Sequence, residues 1–225
     1  MFDSARPRPS SGFTLIELLV VISIVAILMG LLFPVFKSVK ESARKTQARS
    51  QIAQIITATT AYYQEYGVYP INQDQLYGGG ANGSDTVYGD PNGTYSSAEL
   101  FFILRAVPGG RYNIGNALNP KQVVYFRGAD VKTPATPRDG FATQDALVGG
   151  NSIDQGALVD PWGAEYVVWI DATYDGDLST ALGWFYHDLS GKPSQAIAAC
   201  SLGSDGGFGT AGNGNFIGSD DLASW

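Results

Sequence analysis

Three aspartates late in the sequence have the residue type and spacing that could bind a cation. Asp205 lies at the start of a glycine-rich segment, and the adjacent pair Asp220 and Asp221 lies at its end. Calcium takes roughly six to eight hard oxygen ligands, which aspartate side chains and backbone carbonyls supply. A calcium loop is therefore one interpretation of this segment, although its composition alone slightly favours a solvated loop.

A second acidic run, Asp171–Asp177, has fewer features of a cation site. It lacks the alternating ligands of an EF-hand loop, and Leu182 stands where that loop has its final glutamate. Asp175 and Gly176 form a dipeptide that is typical of a hairpin turn. We interpret this run as a hairpin turn, with a cation site as the alternative.

The other chemically active side chains form no pattern of a catalytic site. His187 is the single histidine, and no serine lies in a Gly-x-Ser-x-Gly turn. The sequence has neither a Gly-x-x-x-x-Gly-Lys-Ser/Thr phosphate loop nor a zinc-type Cys/His cluster. Cys200 is the only cysteine, so it cannot form a disulfide within the chain, and we expect it to be buried. We predict a surface position for His187, and a protein that is not an enzyme.

The distribution of charge limits the class of partner. The chain has 21 acidic and 14 basic residues and a net charge of −7, and 18 of the acidic but only seven of the basic residues follow Arg49. Because nucleic acids are polyanions, this acidic body predicts no nucleic-acid partner. The 28 glycines indicate a loop-rich body that contains β-structure.

Glu17 is the only ionisable residue in the apolar run Phe13–Phe36. The run has about the length, roughly 20 residues, that a membrane-spanning helix needs. A carboxylate costs on the order of 2.5–3.5 kcal/mol at the centre of a bilayer, so it is normally kept because it finds a partner. A side chain that reaches the lipid headgroups is the alternative.

The residues around Glu17 resemble a known processing signal. From residue 11 to residue 18 the chain reads Ser-Gly-Phe-Thr-Leu-Ile-Glu-Leu, which is similar to the signal of type IV prepilins and of the pseudopilins of type II secretion. The resemblance implies that a membrane prepilin peptidase cuts between Gly12 and Phe13 and methylates the new N-terminus. It also implies that Glu17 neutralises the amine of a neighbouring subunit in a filament, since either charge alone is disfavoured in an apolar assembly.

The apolar run continues into a second helical segment that has neither Pro nor Gly from Val35 to about Tyr66. Pro34, near the end of the apolar run, removes a backbone donor and predicts a kink or a local opening of the helix, with a simple marker of the membrane exit as the alternative. The residues 37–49 are too polar for a dry interface and predict contact with water or neighbouring subunits. Gly67 is the predicted C-terminal cap. Beyond residue 50 a stripe at spacings of three and four predicts packing on a sheet; it comprises Ile52, Ile55, Ile56, Thr59, Tyr62, Tyr63 and Tyr66.

These features predict four consecutive parts of the chain. Residues 1–12 are a cleaved leader, 13–36 a transmembrane and filament-core helix, 37–66 its amphipathic continuation, and 67–225 a globular periplasmic head. Within the head we predict loops over 71–94 and 133–156 and a turn over 160–163. The remaining predicted elements are a helix over 97–107 and strands over 123–127, 165–171 and 197–202, the last of these being the final strand.

Two segments of the head resemble the major pseudopilin of type II secretion. One is the Asp-Pro-Trp-Gly turn that starts at Asp160, and the other is Ser-Leu-Gly-x-Asp-Gly from residue 201, followed by an Asp-Asp pair shortly before a Trp. The second segment is similar to a structural calcium loop. The resemblance implies Ca²⁺ ligands at the Leu202 carbonyl and the carboxylates of Asp205, Asp220 and Asp221. The stretch between Asp205 and Asp220 is longer than in the usual family loop.

The resemblance implies an α+β, type IV pilin-like fold and a function in assembly. The chain is expected to be a filament-forming pseudopilin anchored in the bacterial inner membrane, with a cytoplasmic N-terminus and a periplasmic head. Glu17 and Pro34 are the expected assembly residues. The implied partners are further copies of the chain, the prepilin peptidase, the inner-membrane assembly platform and minor pseudopilins. Two alternatives stay open, a surface type IV pilin and a membrane-tethered binding module that never polymerises.

Overall fold

The computed structural model describes residues 12–71, 85–92, 95–178, 182, 185–188 and 195–225. The chain divides into two compact units, Met1–Ala43 and Arg44–Trp225. The predicted leader, residues 1–12, lies outside the described residues except for Gly12.

Helix α1, Leu15–Tyr66, supplies the whole described regular structure of the first unit. The large apolar side chains described there are exposed, from 44% for Val25 to 88% for Leu15. Among the described residues, α1 is long and apolar enough to span a membrane, and none of its most apolar stretch is buried within the chain. The helix is continuous across Pro34, and a kink at that residue stays a prediction.

The later part of α1 buries the predicted stripe against the core of the second unit. Ile52, Ile55, Thr59 and Tyr62 are at most 3% exposed, which confirms the spacing argument. The helix ends as predicted, because Gly67 adopts φ +70° and its N–H donates to the Tyr63 carbonyl at 2.7 Å. That single bond from a left-handed residue is the αL cap, which a glycine adopts at little cost.

The remaining elements of the described residues are a short α-helix, two single-turn 3-10 helices (Ile114–Asn116 and Thr210–Gly212) and eight short strands. The α-helix and the strands are α2 (Ser97–Leu104), β1 (Thr86–Tyr88), β2 (Gly140–Phe141), β3 (Ala146–Val148), β4 (Asn151–Ile153), β5 (Leu158–Val159), β6 (Val167–Ile170), β7 (Ile197–Ser201) and β8 (Leu222–Ala223). The main sheet is antiparallel with the order β1-β6-β7-β8, and Trp169 pairs with Ala198 and Cys200 with Ala223.

Both faces of the main sheet are buried. Because side chains alternate along a strand, Val168 and Ile170 face the cluster that contains the α1 stripe and α2. Their neighbours Val167 and Trp169 face a second cluster, which contains Cys200 and Leu202. The strands that flank the C-terminal loop are therefore packed on both faces. Cys200 is buried as predicted.

Several head predictions are wrong. The predicted strand 123–127 is not a strand, because Tyr125 N and Phe126 N both donate to the Leu104 carbonyl and complete the end of α2. Helix α2 ends at Leu104 rather than at residue 107, because Ala106 adopts a left-handed φ of +55° and the N–H groups of Ala106 and Val107 donate back to the Ile103 and Phe102 carbonyls. Of the predicted loop 71–94, residues 72–84 and 93–94 lie outside the described residues, and the rest contains β1 at the edge of the main sheet.

The predicted loop 133–156 contains strand β2 and the hairpin β3–β4. Its turn is Gly149-Gly150, in which both residues have positive φ, +61° and +95°. Two left-handed residues form the type I′ turn that suits a hairpin, and this signal was present in the sequence. The strand β7 is confirmed over 197–201, but it is not the final strand, since β8 follows.

The run Asp171–Asp177 is not a hairpin turn. Strand β6 ends at Ile170 and pairs with β1 and β7, and the residues around Gly176 form a loop. One Asp171 carboxylate oxygen accepts the Thr173 hydroxyl at 3.0 Å and the other accepts Gly176 N at 2.7 Å. The predicted tight turn is wrong, because this run begins the long connection between the antiparallel neighbours β6 and β7, and the side chain of Asp171 organises its first residues.

Candidate metal centre

The predicted cation ligands converge at one end of the main sheet. Asp205, Asp220 and Asp221 each bring a carboxylate oxygen to within 4.8 Å of the others, and they are exposed, half-buried and buried, respectively. Such a group of hard oxygen atoms is what calcium prefers. The structure thus brings the three predicted carboxylates together, and the identity of a bound ion stays a prediction.

The main sheet explains why the two ends of this loop meet. Strand β7 ends at Ser201, which pairs with Leu222 of β8. Residues 202–221 therefore leave and re-enter the sheet at adjacent strands, which places Asp221 beside the start of the loop. The side chain of Leu202 is fully buried, and its carbonyl stays a predicted ligand.

Asp220 is held by the opposite side of the loop. Its Oδ2 accepts hydrogen bonds from both the backbone N and the hydroxyl of Ser204. Burial raises the pKa of Asp220, but the hydrogen bonds from Ser204 and from the backbone of Asp205 and Asp220 together outweigh burial, so the pKa is lowered overall. Asp220 is therefore a charged group at neutral pH.

Asp221 has one buried carboxylate oxygen without a hydrogen bond. Its Oδ2 accepts Gly209 N at 2.7 Å and the Tyr186 hydroxyl at 3.1 Å, whereas its buried Oδ1 has no hydrogen-bond partner. Burial raises the pKa of Asp221 to about 6, and the charges of Asp205 and Asp220 act in the same direction. A buried acceptor without a partner is costly, and a cation would satisfy it. The residues therefore fit a calcium ion.

Gly203 allows the loop to pass close to Asp220. It adopts φ +67°, and a Cβ there would lie 2.6 Å from the Asp220 carbonyl oxygen. A side chain at this residue would therefore displace one of the converging carboxylates.

Replacing Gly203 with alanine is expected to destabilise the chain more than replacing Gly67. Both glycines are left-handed, which costs another residue about 1–2 kcal/mol, but a Cβ at Gly67 meets nothing within 4 Å. Chemical denaturation of the two variants should show the strain alone in Gly67→Ala and an additional loss in Gly203→Ala. Equal losses would show that the Asp220 backbone moves aside without cost.

Two supporting residues were missed by sequence reasoning. Asp160, at 0% exposure, accepts three backbone amides and the Ser201 hydroxyl, and Ser201 in turn accepts Gly203 N at 3.3 Å. The Asp-Pro-x-Gly pattern predicted the turn, but no local signal indicated the bond to Ser201. Tyr186 was missed because nothing in its sequence neighbourhood relates it to Asp221.

The proposed processing site lies at the start of α1. Gly12 and Phe13 are exposed, and a Cβ at Gly12 would meet nothing within 4 Å. Thr14 N and its hydroxyl both donate to Glu17 Oε2, at 2.9 and 2.8 Å, and Glu17 N donates back to the Thr14 hydroxyl. This reciprocal arrangement is a capping box. Glu17 therefore has a local structural partner in addition to the role that its position predicts.

Comparisons with known proteins agree with the N-terminal features. The prokaryotic N-terminal methylation motif matches residues 7–33. The type II secretion system core protein G of Pseudomonas aeruginosa is 39% identical over 69 residues, which make up 31% of this chain and 49% of that protein. The match thus spans about half the length of that relative. No solved structure matches the chain significantly.

The methylation motif, the long apolar helix and the small antiparallel sheet support an α+β, type IV pilin-like protein. Its similarity to core protein G places the chain close to the pseudopilins within that class.

Proposed function

We propose that this chain is a filament-forming pseudopilin of a type II secretion-like system, which polymerises from the inner membrane to drive protein export. The similarity to core protein G supports the secretion system rather than a surface pilus. In this proposal the chain acts by assembly and catalyses no reaction. Its partners are other copies, the prepilin peptidase, the assembly platform and minor pseudopilins.

The observation that carries the proposal is the unburied apolar surface of α1. The described large apolar side chains between Phe13 and Val39 are 44–88% exposed. An exposed apolar patch of this extent marks a membrane or protein contact. A bilayer can cover it before assembly, and the equivalent helices of other subunits can cover it in a filament. The head is then periplasmic and the leader cytoplasmic.

The carboxylate of Glu17 is proposed to align the subunits. Cleavage between Gly12 and Phe13 creates a charged amine at the start of the apolar helix, and methylation of Phe13 retains that charge. An unpaired amine or carboxylate would be strongly disfavoured among packed apolar helices. Pairing of Glu17 with the amine of a neighbour removes both penalties and sets the axial position of the helices.

Glu17→Gln separates the charge of this residue from its local capping role. Glutamine can occupy the same position of a capping box, so the start of α1 should be retained. Because the subunit contact would lose one charge of an apolar pair, filament yield is expected to fall roughly tenfold or more. Chemical cross-linking and electron microscopy of filaments in cells with a complete secretion system would measure the filament yield.

Glu41→Gln, which removes a carboxylate from the polar part of the same helix, is the matched control. Mass spectrometry of each variant should find residues 1–12 absent and one methyl group added, which shows that processing is intact. Wild-type filament levels in Glu17→Gln would limit Glu17 to capping. Failure of the processed wild-type chain to polymerise would favour a membrane-tethered binding module.

A further inference from the structure

Residues 186–188, which lie between β6 and β7, contact the C-terminal loop 202–221. His187 N donates to the Gly214 carbonyl at 2.8 Å. The Asp188 carboxylate accepts Phe216 N at 2.7 Å and Ile217 N at 2.8 Å. These bonds fix the backbone of the stretch between Asp205 and Asp220. The exposed side chain of His187 is at the surface as predicted, while its backbone belongs to this contact.

The ring of Tyr186 is fixed by packing in the same place. It is 1% exposed and makes edge-to-face contacts with Phe208, Phe216 and Trp225, at centroid distances of 5.6, 5.3 and 5.8 Å. Contacts of this geometry restrict the orientation of a ring. The hydroxyl at its tip is therefore held in a defined position beneath the loop.

That hydroxyl selects one oxygen of Asp221. It lies 3.1 Å from Asp221 Oδ2 and 3.7 Å from Cys200 Sγ. A tyrosine has one O–H proton, and a carboxylate is a stronger acceptor than sulfur. Together with Gly209 N, the hydroxyl fills Oδ2 and leaves Oδ1 without a hydrogen bond. The rotation of the carboxylate is thereby set.

We propose that Tyr186 is a positioning residue of the metal centre, whose hydroxyl orients Asp221 so that its second oxygen is available to a divalent cation. The inference rests on the proposed calcium site. Partners that orient a metal ligand without touching the metal typically change affinity by about 10- to 100-fold. The hydroxyl of Tyr186 belongs to that class of partner, and its ring belongs to the core.

Tyr186→Phe tests the proposal, because it retains the ring and removes the hydroxyl. Calcium would be titrated into the full-length chain in detergent and followed by calorimetry. The variant is expected to bind calcium about 10- to 100-fold more weakly than the wild type. Tyr88→Phe is the matched control. Tyr88 is also 1% exposed, lies in the other core cluster, and donates its hydroxyl to the Pro70 carbonyl at 3.0 Å.

The melting temperature without calcium distinguishes positioning from a general structural role. Support for the proposal is a weakened affinity in Tyr186→Phe alone, with both variants losing a similar, small amount of melting temperature. Equal calcium affinity in the wild type and Tyr186→Phe would overturn this inference and leave the calcium site standing. Absence of calcium binding by the wild type would overturn both.

Discussion

Replacing Asp160 with alanine is expected to lower the free energy of unfolding by about 3 kcal/mol or more, because each buried donor left without an acceptor costs about 1–3 kcal/mol. Asp160 is 0% exposed. Its Oδ1 accepts the amides of Trp162, Gly163 and Ala164, at 2.7–3.0 Å, and its Oδ2 accepts the Ser201 hydroxyl at 2.6 Å. Alanine would leave four buried donors without their acceptor. Chemical denaturation of the full-length chain would measure the loss.

Asp160→Asn and Asp175→Ala are the controls for this prediction. Burial raises the pKa of Asp160, although its hydrogen bonds oppose the shift, and asparagine retains an uncharged acceptor for the three amides. It should therefore cost less than alanine. Asp175 is exposed and accepts one amide, that of Asp177, at 2.9 Å, so its replacement should cost less than about 1 kcal/mol. A loss below about 1 kcal/mol in Asp160→Ala would contradict the role given to this residue.

Loss of Asp160 should also loosen the first residues of the loop that forms the metal centre. Ser201 joins the Asp160 turn to the first residues of the loop, because its hydroxyl donates to Asp160 and accepts from Gly203 N. Without Asp160 that hydroxyl is free to rotate, and the start of the loop loses one of its fixed points. The turn and the loop, which are far apart in sequence, are therefore one structural unit.

Calcium at about 100 times its dissociation constant is expected to raise the free energy of unfolding by roughly 2.7 kcal/mol. The physical reason is that Asp205, Asp220 and Asp221 repel one another and that Asp221 Oδ1 has no hydrogen bond. A bound cation would relieve both penalties. Thermal melts of the full-length chain in detergent, with calcium and with a chelator, would measure the effect as a shift of several degrees.

The control variants decide whether the three carboxylates are the site. Asp220→Asn combined with Asp221→Asn should abolish the calcium-dependent shift, whereas Asp175→Asn combined with Asp177→Asn should leave it unchanged. The comparison must be the difference between melts with and without calcium, since neutralising clustered charges can itself stabilise the calcium-free chain. If the wild type shows no shift, hydrogen bonds alone hold the loop, and a generic pilin or a tethered module becomes the better interpretation.

The structure of α1 follows from the sequence more closely than the structure of the head does. In α1 the stripe and the αL cap at Gly67 were confirmed, because helical spacing and capping are local patterns. In the head, strands were predicted over 165–171 and 197–202, and β6 and β7 lie within these ranges. Strand β8 was missed, since two residues pair only because β7 lies beside them. The hairpin turn at Gly149-Gly150 was a readable local signal that was not used.

By itself the sequence determined the parts of this protein that depend on neighbouring residues: an apolar helix with one acidic residue, a processing motif before it, and aspartates at both ends of a glycine-rich loop. Only the tertiary structure decided which residues support that loop. Tyr186 reaches Asp221 across 35 residues, and Ser201 reaches Asp160 across 41. No local spacing specifies contacts of that separation, because they exist only once the sheet has brought its strands together and both of its faces are packed.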